Sequence, residues 1–233
     1  MTAPDRADIV RSYYRVRQAL GILGLILPVL LIAGGLVSLG GIEPSISDYY
    51  HTILRDILVG VMTAIAVFLI AYPGHHRQSG EVFSDDRITT MAGIAALGVA
   101  FFPNEHRLAV VTLESPAQLI LGHRMAAIGH YVSAIVFLTL LAVMCLGKFA
   151  RTARPARRRI YRICGWIILA MTLATIVASW FKVRGPAGPQ AVVNDGLLVL
   201  WFEAVAVWAF AVAWLVKGRA EVGLTRMLPR RRA

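Results

Sequence analysis

Long apolar runs with few charges recur along this chain, and they leave it few ways to fold. They extend from Ala19 to Gly41, Ile53 to Tyr72, Ile88 to Phe102, Ile128 to Phe149, Ile160 to Phe181 and Leu197 to Val216. The third is short and stops at Pro103. An apolar helix of about 20 residues matches the hydrocarbon thickness of a bilayer, and a backbone in lipid must satisfy its own hydrogen bonds. With 58% hydrophobic and only 16% charged residues in 233, the excess apolar surface calls for lipid as the solvent. The expected fold is all-α: a polytopic membrane helix bundle of six transmembrane helices. The runs consume most of the chain, so residues 1–233 are expected to form a single membrane domain.

The first run is longer than the apolar core of a secretion signal, and no small-x-small cleavage site follows it. It reads as the first membrane helix. Basic residues set the orientation. With the N-terminus inside, the inner segments hold 19 of the Lys and Arg residues and the outer segments hold 5. This positive-inside bias predicts that both termini are cytoplasmic (N-in/C-in), in a bacterial inner, or plasma, membrane. Arg157-Arg158-Arg159 between the fourth and fifth runs is its clearest part, and Arg230-Arg231-Arg232 adds a basic tail. The net charge of +11 therefore reflects topology and headgroup contacts. Membrane lipids are the expected partners, nucleic acid is not, and a homo-oligomer is left open.

Local signals refine the picture. Tyr13, Tyr14, Tyr72, Tyr161, Trp180, Trp201 and Trp214 fall near run ends, where amphipathic rings anchor. Ala92, Ala96 and Ala100 repeat every four residues, which predicts close approach of a neighbouring helix and a central third helix. Gly34-Gly35 and Gly40-Gly41 are expected to loosen the outer half of the first helix. Cys145 and Cys164 both fall inside runs and read as small buried residues. His75, His76 and His106 are read as loop residues without a role.

The outer segments are richer in chemistry than connectors require. Ser45 followed by Asp48 reads as a helix start. A helix from there into the second run would bring Ser47, His51 and Arg55 near one face, with Asp56 a third of a turn away. Ser115-Pro116 reads as another start, with Ala117 to Leu121 expected in the membrane interface. A continuous fourth helix would put His123, His130 and Ser133 on one side. The segment Lys182 to Gly196, rich in Gly and Pro, is expected to be irregular, with Asn194 or Asp195 capping the last helix.

Glu203 is the most informative residue. An acid inside an apolar span is costly against lipid, so it is expected to face the bundle and meet a partner at its depth: His130, Arg55 or His51. These residues predict an outward-facing polar pocket lined by His51, Arg55, Asp56, His130, Ser133 and Glu203. Lipid or another amphiphile is the expected ligand. His51, Asp56, His130 and Glu203 are the candidates for proton transfer, and Ser47, Asp48, Arg55 and Ser133 for ligand binding. If the protein is an enzyme, a membrane-embedded lipid hydrolase or transferase is the expected class. Ser47 and Ser133 can each act as a nucleophile with a histidine base. Zinc is the lesser alternative, with His51, His123, His130 and an acid as ligands, because no H-E-x-x-H or H-x-x-x-H pattern exists. A buried network that only holds helices together is the non-enzymatic alternative, and a transporter or channel the third.

Pro44-Ser45-Ile46-Ser47-Asp48 resembles the I-S-D motif that follows the first helix in the DRAM/Sfk family. That family includes lysosomal autophagy modulators and Frag-type GPI-lipid remodelling proteins. Gly60, His130 and the pair Trp201 and Glu203 extend the likeness along most of the chain. It implies six helices with cytoplasmic termini, and places Ser47, Asp48, His130 and Glu203 among the motif residues. Tyr49-Tyr50-His51 departs from the family's small-residue and proline stretch. The S-x-x-x-H spacing of Ser47 and His51 also resembles the CREST membrane hydrolases, such as the alkaline ceramidases. Those have seven helices and an H-x-x-x-H pair in the last, which this chain lacks.

Overall fold

Helices account for every regular element among the described residues of the computed structural model, which are 3–74, 83–105 and 114–219, with side chains from residue 12. Helix α1 (Ala3–Gly34) runs into a π-helical turn, Gly35–Leu39. A 3-10 helix, Ser47–His51, precedes α2 (Arg55–Ile70) and α3 (Asp85–Phe101). Short α4 (Pro116–Leu121) leads into α5 (His123–Val143), which continues through a π-helical stretch, Met144–Phe149, into α6 (Ala150–Thr152). Then follow α7 (Pro155–Arg184), α8 (Ala187–Asp195) and α9 (Leu198–Lys217).

Four segments are long and apolar enough to cross a membrane: Ser12–Leu39, His123–Thr152, Pro155–Arg184 and Leu198–Lys217. Helices α2 and α3 have 16 and 17 residues. At a rise of about 1.5 Å per residue each is about 25 Å long, somewhat less than the hydrocarbon core of about 30 Å. Large apolar side chains are exposed along the bundle, among them Ile22, Val29, Val67, Ile94, Val132 and Leu173. In water such a surface would drive association; against acyl chains it is the expected exterior.

The six longer helices form a ring in chain order. Each of α1, α2, α3, α5, α7 and α9 packs on the next, and α9 closes against α1. Small residues make the close seams. A Cβ on Gly93 would lie 2.7 Å from the Ala66 carbonyl of α2, and one on Gly21 would lie 2.9 Å from the Ala211 carbonyl of α9. Ala92, Ala96 and Ala100 are fully buried, as their spacing requires. Yet α3 is flanked by α2 and α5 as one member of the ring, not its centre.

Three aromatic residues expected at the interface lie in the core instead. Tyr72 stacks on Tyr13 with centroids 5.3 Å apart and meets Trp214 edge-on at 5.0 Å. Trp214 also meets Phe149, which packs on Tyr161. These rings close the end of the ring where Arg17 donates to the Tyr72 hydroxyl, so the polar tips find partners inside the protein. Trp180 and Trp201 are exposed, as anchoring residues would be.

Two connections also differ from expectation. Residues 187–195 are helical, and Pro189 is tolerated because it falls in the first turn of α8, where its missing N–H has no partner to lose. Asn194 and Asp195 therefore end α8 and do not cap α9. The α9 cap is Leu197, held in the left-handed region at φ 50°. Second, no continuous helix joins Ser47 to α2. Thr52 is extended (φ −120°, ψ 175°), and its hydroxyl donates to the Tyr49 carbonyl and accepts the Leu54 N–H. This competition for local backbone groups stops the helix and restarts it at Arg55.

Candidate functional site

One end of the ring gathers the C-terminal ends of α1, α3 and α7 with the N-terminal ends of α2, α5 and α9. The segment 43–51 is laid across this end and docked by backbone. The Leu200 N–H, an orphan donor in the first turn of α9, donates to the Pro44 carbonyl at 3.0 Å. Three residues further along α9, Glu203 Oε2 accepts the Ile46 N–H at 2.7 Å. The Ser45 hydroxyl also bonds the Glu203 carboxylate and accepts the Ser47 N–H at 3.0 Å. Glu203 thus faces inward, as expected, but its partners are the backbone and hydroxyl of the segment 43–51, not His130, Arg55 or His51. A carboxylate and a first-turn helix donor are the two groups best suited to fix a loop through its amides.

The docked segment presents Ser47 to α5. His130 Nδ1 lies 2.8 Å from the Phe102 carbonyl, and Nε2 lies 2.8 Å from Ser47 Oγ. A carbonyl only accepts, so Nδ1 carries the proton and donates. In the neutral ring Nε2 is then the lone-pair acceptor, and the Ser47 hydroxyl donates to it. His130 is buried, while Ser47 is half-buried. This is the arrangement of a nucleophile and a base, with a backbone carbonyl orienting the base.

Beside the dyad, Asp48 is wholly buried and ion-paired with Lys182 from the last turn of α7. Its Oδ1 accepts from Asn104 Nδ2 at 2.7 Å. His51 Nε2 donates to both oxygens of Asn104, each at 3.0 Å. Asp48, His51 and Lys182 all lie close enough to His130 to act on its charge. Tyr49 closes the base of the segment. Its hydroxyl accepts the Glu43 N–H at 3.3 Å, and burial raises its pKa above the usual tyrosine value.

Ser47, Asp48, His51, His130 and Glu203 thus converge at one end of the bundle. Four other expected residues do not join them. Arg55 turns along its own helix end to stack on Tyr50 (4.2 Å to the ring centroid) and donates to the Tyr50 hydroxyl at 2.7 Å. Asp56 is exposed, because the break at Thr52 resets the helical phase. Ser133 packs into the notch left by Gly98 of α3, where a Cβ would collide with its hydroxyl oxygen. His123 is the first residue of α5 and bonds Glu114 at 2.7 Å and Gln118 at 3.2 Å, largely exposed. A zinc set of His51, His123, His130 and an acid is therefore not assembled. Among the described residues, no group of three or more His, Cys, Asp or Glu is placed to hold a metal ion.

Sequence reasoning missed Asn104, Lys182 and the Phe102 carbonyl. Asn104 follows the Pro103 that ends α3, and a lone Asn there reads as a turn residue. Lys182 reads as an end-of-helix cation. His75, His76, His106 and Arg230 to Arg232 lie outside the described residues. Comparison with family models, with curated proteins and with solved structures finds no match to this chain.

Proposed function

We propose that this chain is a multi-pass bacterial inner-membrane protein with six spans and cytoplasmic termini, and that its outward end binds an amphiphile and modifies it by acyl transfer or hydrolysis. On this reading α2 and α3 are the two short spans. The likeness of Pro44 to Asp48 to the DRAM/Sfk motif is part of the proposal.

The observation that carries it is the 2.8 Å contact between Ser47 Oγ and His130 Nε2, with Nδ1 held by the Phe102 carbonyl. The Ser47 oxygen attacks a carbonyl carbon, and His130 Nε2 accepts its proton. The imidazolium so formed is stabilised by the Phe102 carbonyl and by Asp48 nearby. His130 then returns the proton to the departing alcohol or amine, leaving Ser47 acylated. Water or a second alcohol, activated by the same nitrogen, releases the acyl group. A lipid supplies both a carbonyl and an apolar tail that the exposed flanks of the bundle can accompany.

The test uses a fluorophosphonate probe on purified full-length protein, with lipid mass spectrometry of cells that overproduce it. Wild type should be labelled at Ser47, and Ser47→Ala and His130→Gln should not be, while both retain the wild-type unfolding temperature to within a few degrees. Absence of labelling in wild type, together with an unchanged lipid profile, would refute the enzyme reading.

A second reading has its own observation. Glu203 accepts the Ile46 N–H, and Asp48, Asn104 and His51 bond in series, so the network also works as a clamp between helix ends. On that reading His130→Gln lowers stability and no lipid changes.

A further inference from the structure

The opposite end of the bundle carries a separate feature that the Ser47 cluster does not use. At the N-terminal end of α7, an open groove of about 500 Å³ is lined by Pro155, Arg158, Arg159, Arg162, Ile163, Trp166 and Ile167. We propose that this groove is a binding site for an anionic glycerophospholipid, with its phosphate on Arg159 and Arg162 and an acyl chain along Ile163, Trp166 and Ile167.

The order of residues along α7 matches the order of groups along such a lipid. Arg162 and Ile163 stand three and four residues after Arg159, and Trp166 stands four and three after them, so the four line one stretch of helix surface. From Arg159 to Trp166 the helix rises about 10 Å, the depth from a headgroup to the upper acyl chain. Trp166 and Ile163 are 64% and 52% exposed, and the two arginines are exposed beside them. Among the described residues neither arginine has an acidic partner. Arg158 Nε donates to the Ala150 carbonyl at 3.1 Å, which ties the start of α7 to the end of the preceding helix. The N-terminus of α7 has no side-chain cap, so its free N–H groups add to the positive field. Guanidinium forks take phosphate oxygens in pairs, and a zwitterionic headgroup would bring its own cation into this field.

The occupant is a lipid rather than free phosphate because four of the seven lining residues are apolar. Exposed Trp166 and Ile163 give inorganic phosphate nothing, whereas they cover an acyl chain. The site lies on the end assigned to the cytoplasmic leaflet, where anionic headgroups meet basic juxtamembrane residues.

The experiment is intact-complex mass spectrometry of the full-length protein, delipidated in detergent and titrated with phosphatidylglycerol or phosphatidylcholine. Wild type should retain phosphatidylglycerol at least about tenfold more tightly, as two arginine contacts imply. Arg159→Gln/Arg162→Gln should abolish that preference. Arg151→Gln/Arg154→Gln removes the same charge from the same end outside the groove and should preserve it. Trp166→Ala should weaken phosphatidylglycerol while leaving its preference over phosphatidylcholine. Equal loss in both arginine pairs would mean a diffuse basic surface and would overturn the site. Displacement of the lipid by millimolar inorganic phosphate as readily as by phosphatidylglycerol would overturn the assignment of a lipid.

Discussion

Glu203 and the Ile46 N–H, 157 residues apart in the chain, meet at 2.7 Å and fasten the segment between α1 and α2 to the start of α9. The contact decides where Ser47 sits, because Ser45 bonds the same carboxylate while accepting the Ser47 N–H. A side chain that looked like half of an ion pair is the anchor of a backbone segment.

This predicts a graded response at position 203. Glu203→Gln keeps an oxygen acceptor for the Ile46 N–H and should cost under about 1.5 kcal/mol, the difference between a charged and a neutral hydrogen bond. Glu203→Ala leaves that N–H and the Ser45 hydroxyl without their acceptor and should cost about 2–4 kcal/mol. Thermal unfolding of both variants in detergent reads the difference. Equal unfolding temperatures for Gln, Ala and wild type would remove the anchoring role.

Asp48 and Lys182 make a second, separable prediction. Lys182→Met should destabilise by about 3–5 kcal/mol, since it leaves a wholly buried carboxylate without its cation. Asp48→Asn/Lys182→Met removes both charges and should recover most of the loss, because the amide oxygen introduced at position 48 still accepts from Asn104. A double variant as unstable as Lys182→Met would mean that the lysine acts through something other than this pair.

The helical runs were legible because a period of apolar residues interrupted by few charges has one solution in lipid. Glu203 was legible for the same reason, being the one acid the pattern could not tolerate facing out. Its partner was not, because sequence shows side chains and the partner is a backbone amide. The false helix from Ser47 to Arg55 has a different cause. Its residues satisfy helical spacing, but the Thr52 hydroxyl captures the Tyr49 carbonyl and breaks the phase, which carries Asp56 to the surface. Lys182 and Asn104 come to the site only through the closing of the ring, and no local pattern encodes that.

Gly35 is a third test, of how the segment is seated. A Cβ there would lie 2.7 Å from both the Tyr49 hydroxyl and the Gly41 carbonyl. Gly35→Ala should therefore cost about 1–3 kcal/mol through overpacking, despite the usual preference of helices for alanine. Gly60→Ala on α2, where nothing lies within 4 Å of the added carbon, should be neutral or slightly stabilising. Comparing their unfolding temperatures checks this; a harmless Gly35→Ala would show that the π-helical turn can yield.

Topology gives the last prediction, and it bears on the whole functional reading, since on the proposed orientation an amphiphile reaches Ser47 from the outer leaflet. Cys145 and Cys164 are both buried, so an added surface cysteine should dominate labelling. Val192→Cys, on exposed α8 at the Ser47 end, should react with a membrane-impermeant maleimide in intact spheroplasts. Arg151→Cys, exposed at the opposite end, should react only after the membrane is opened. Helices α2 and α3 decide the outcome between these two positions. If one of them alone stayed on one side of the bilayer as a non-spanning helix, the number of crossings between α1 and α5 would change by one, and the two cysteines would report the reverse order. Labelling of Arg151→Cys in intact spheroplasts would put the basic groove outside and the Ser47–His130 dyad in the cytoplasm.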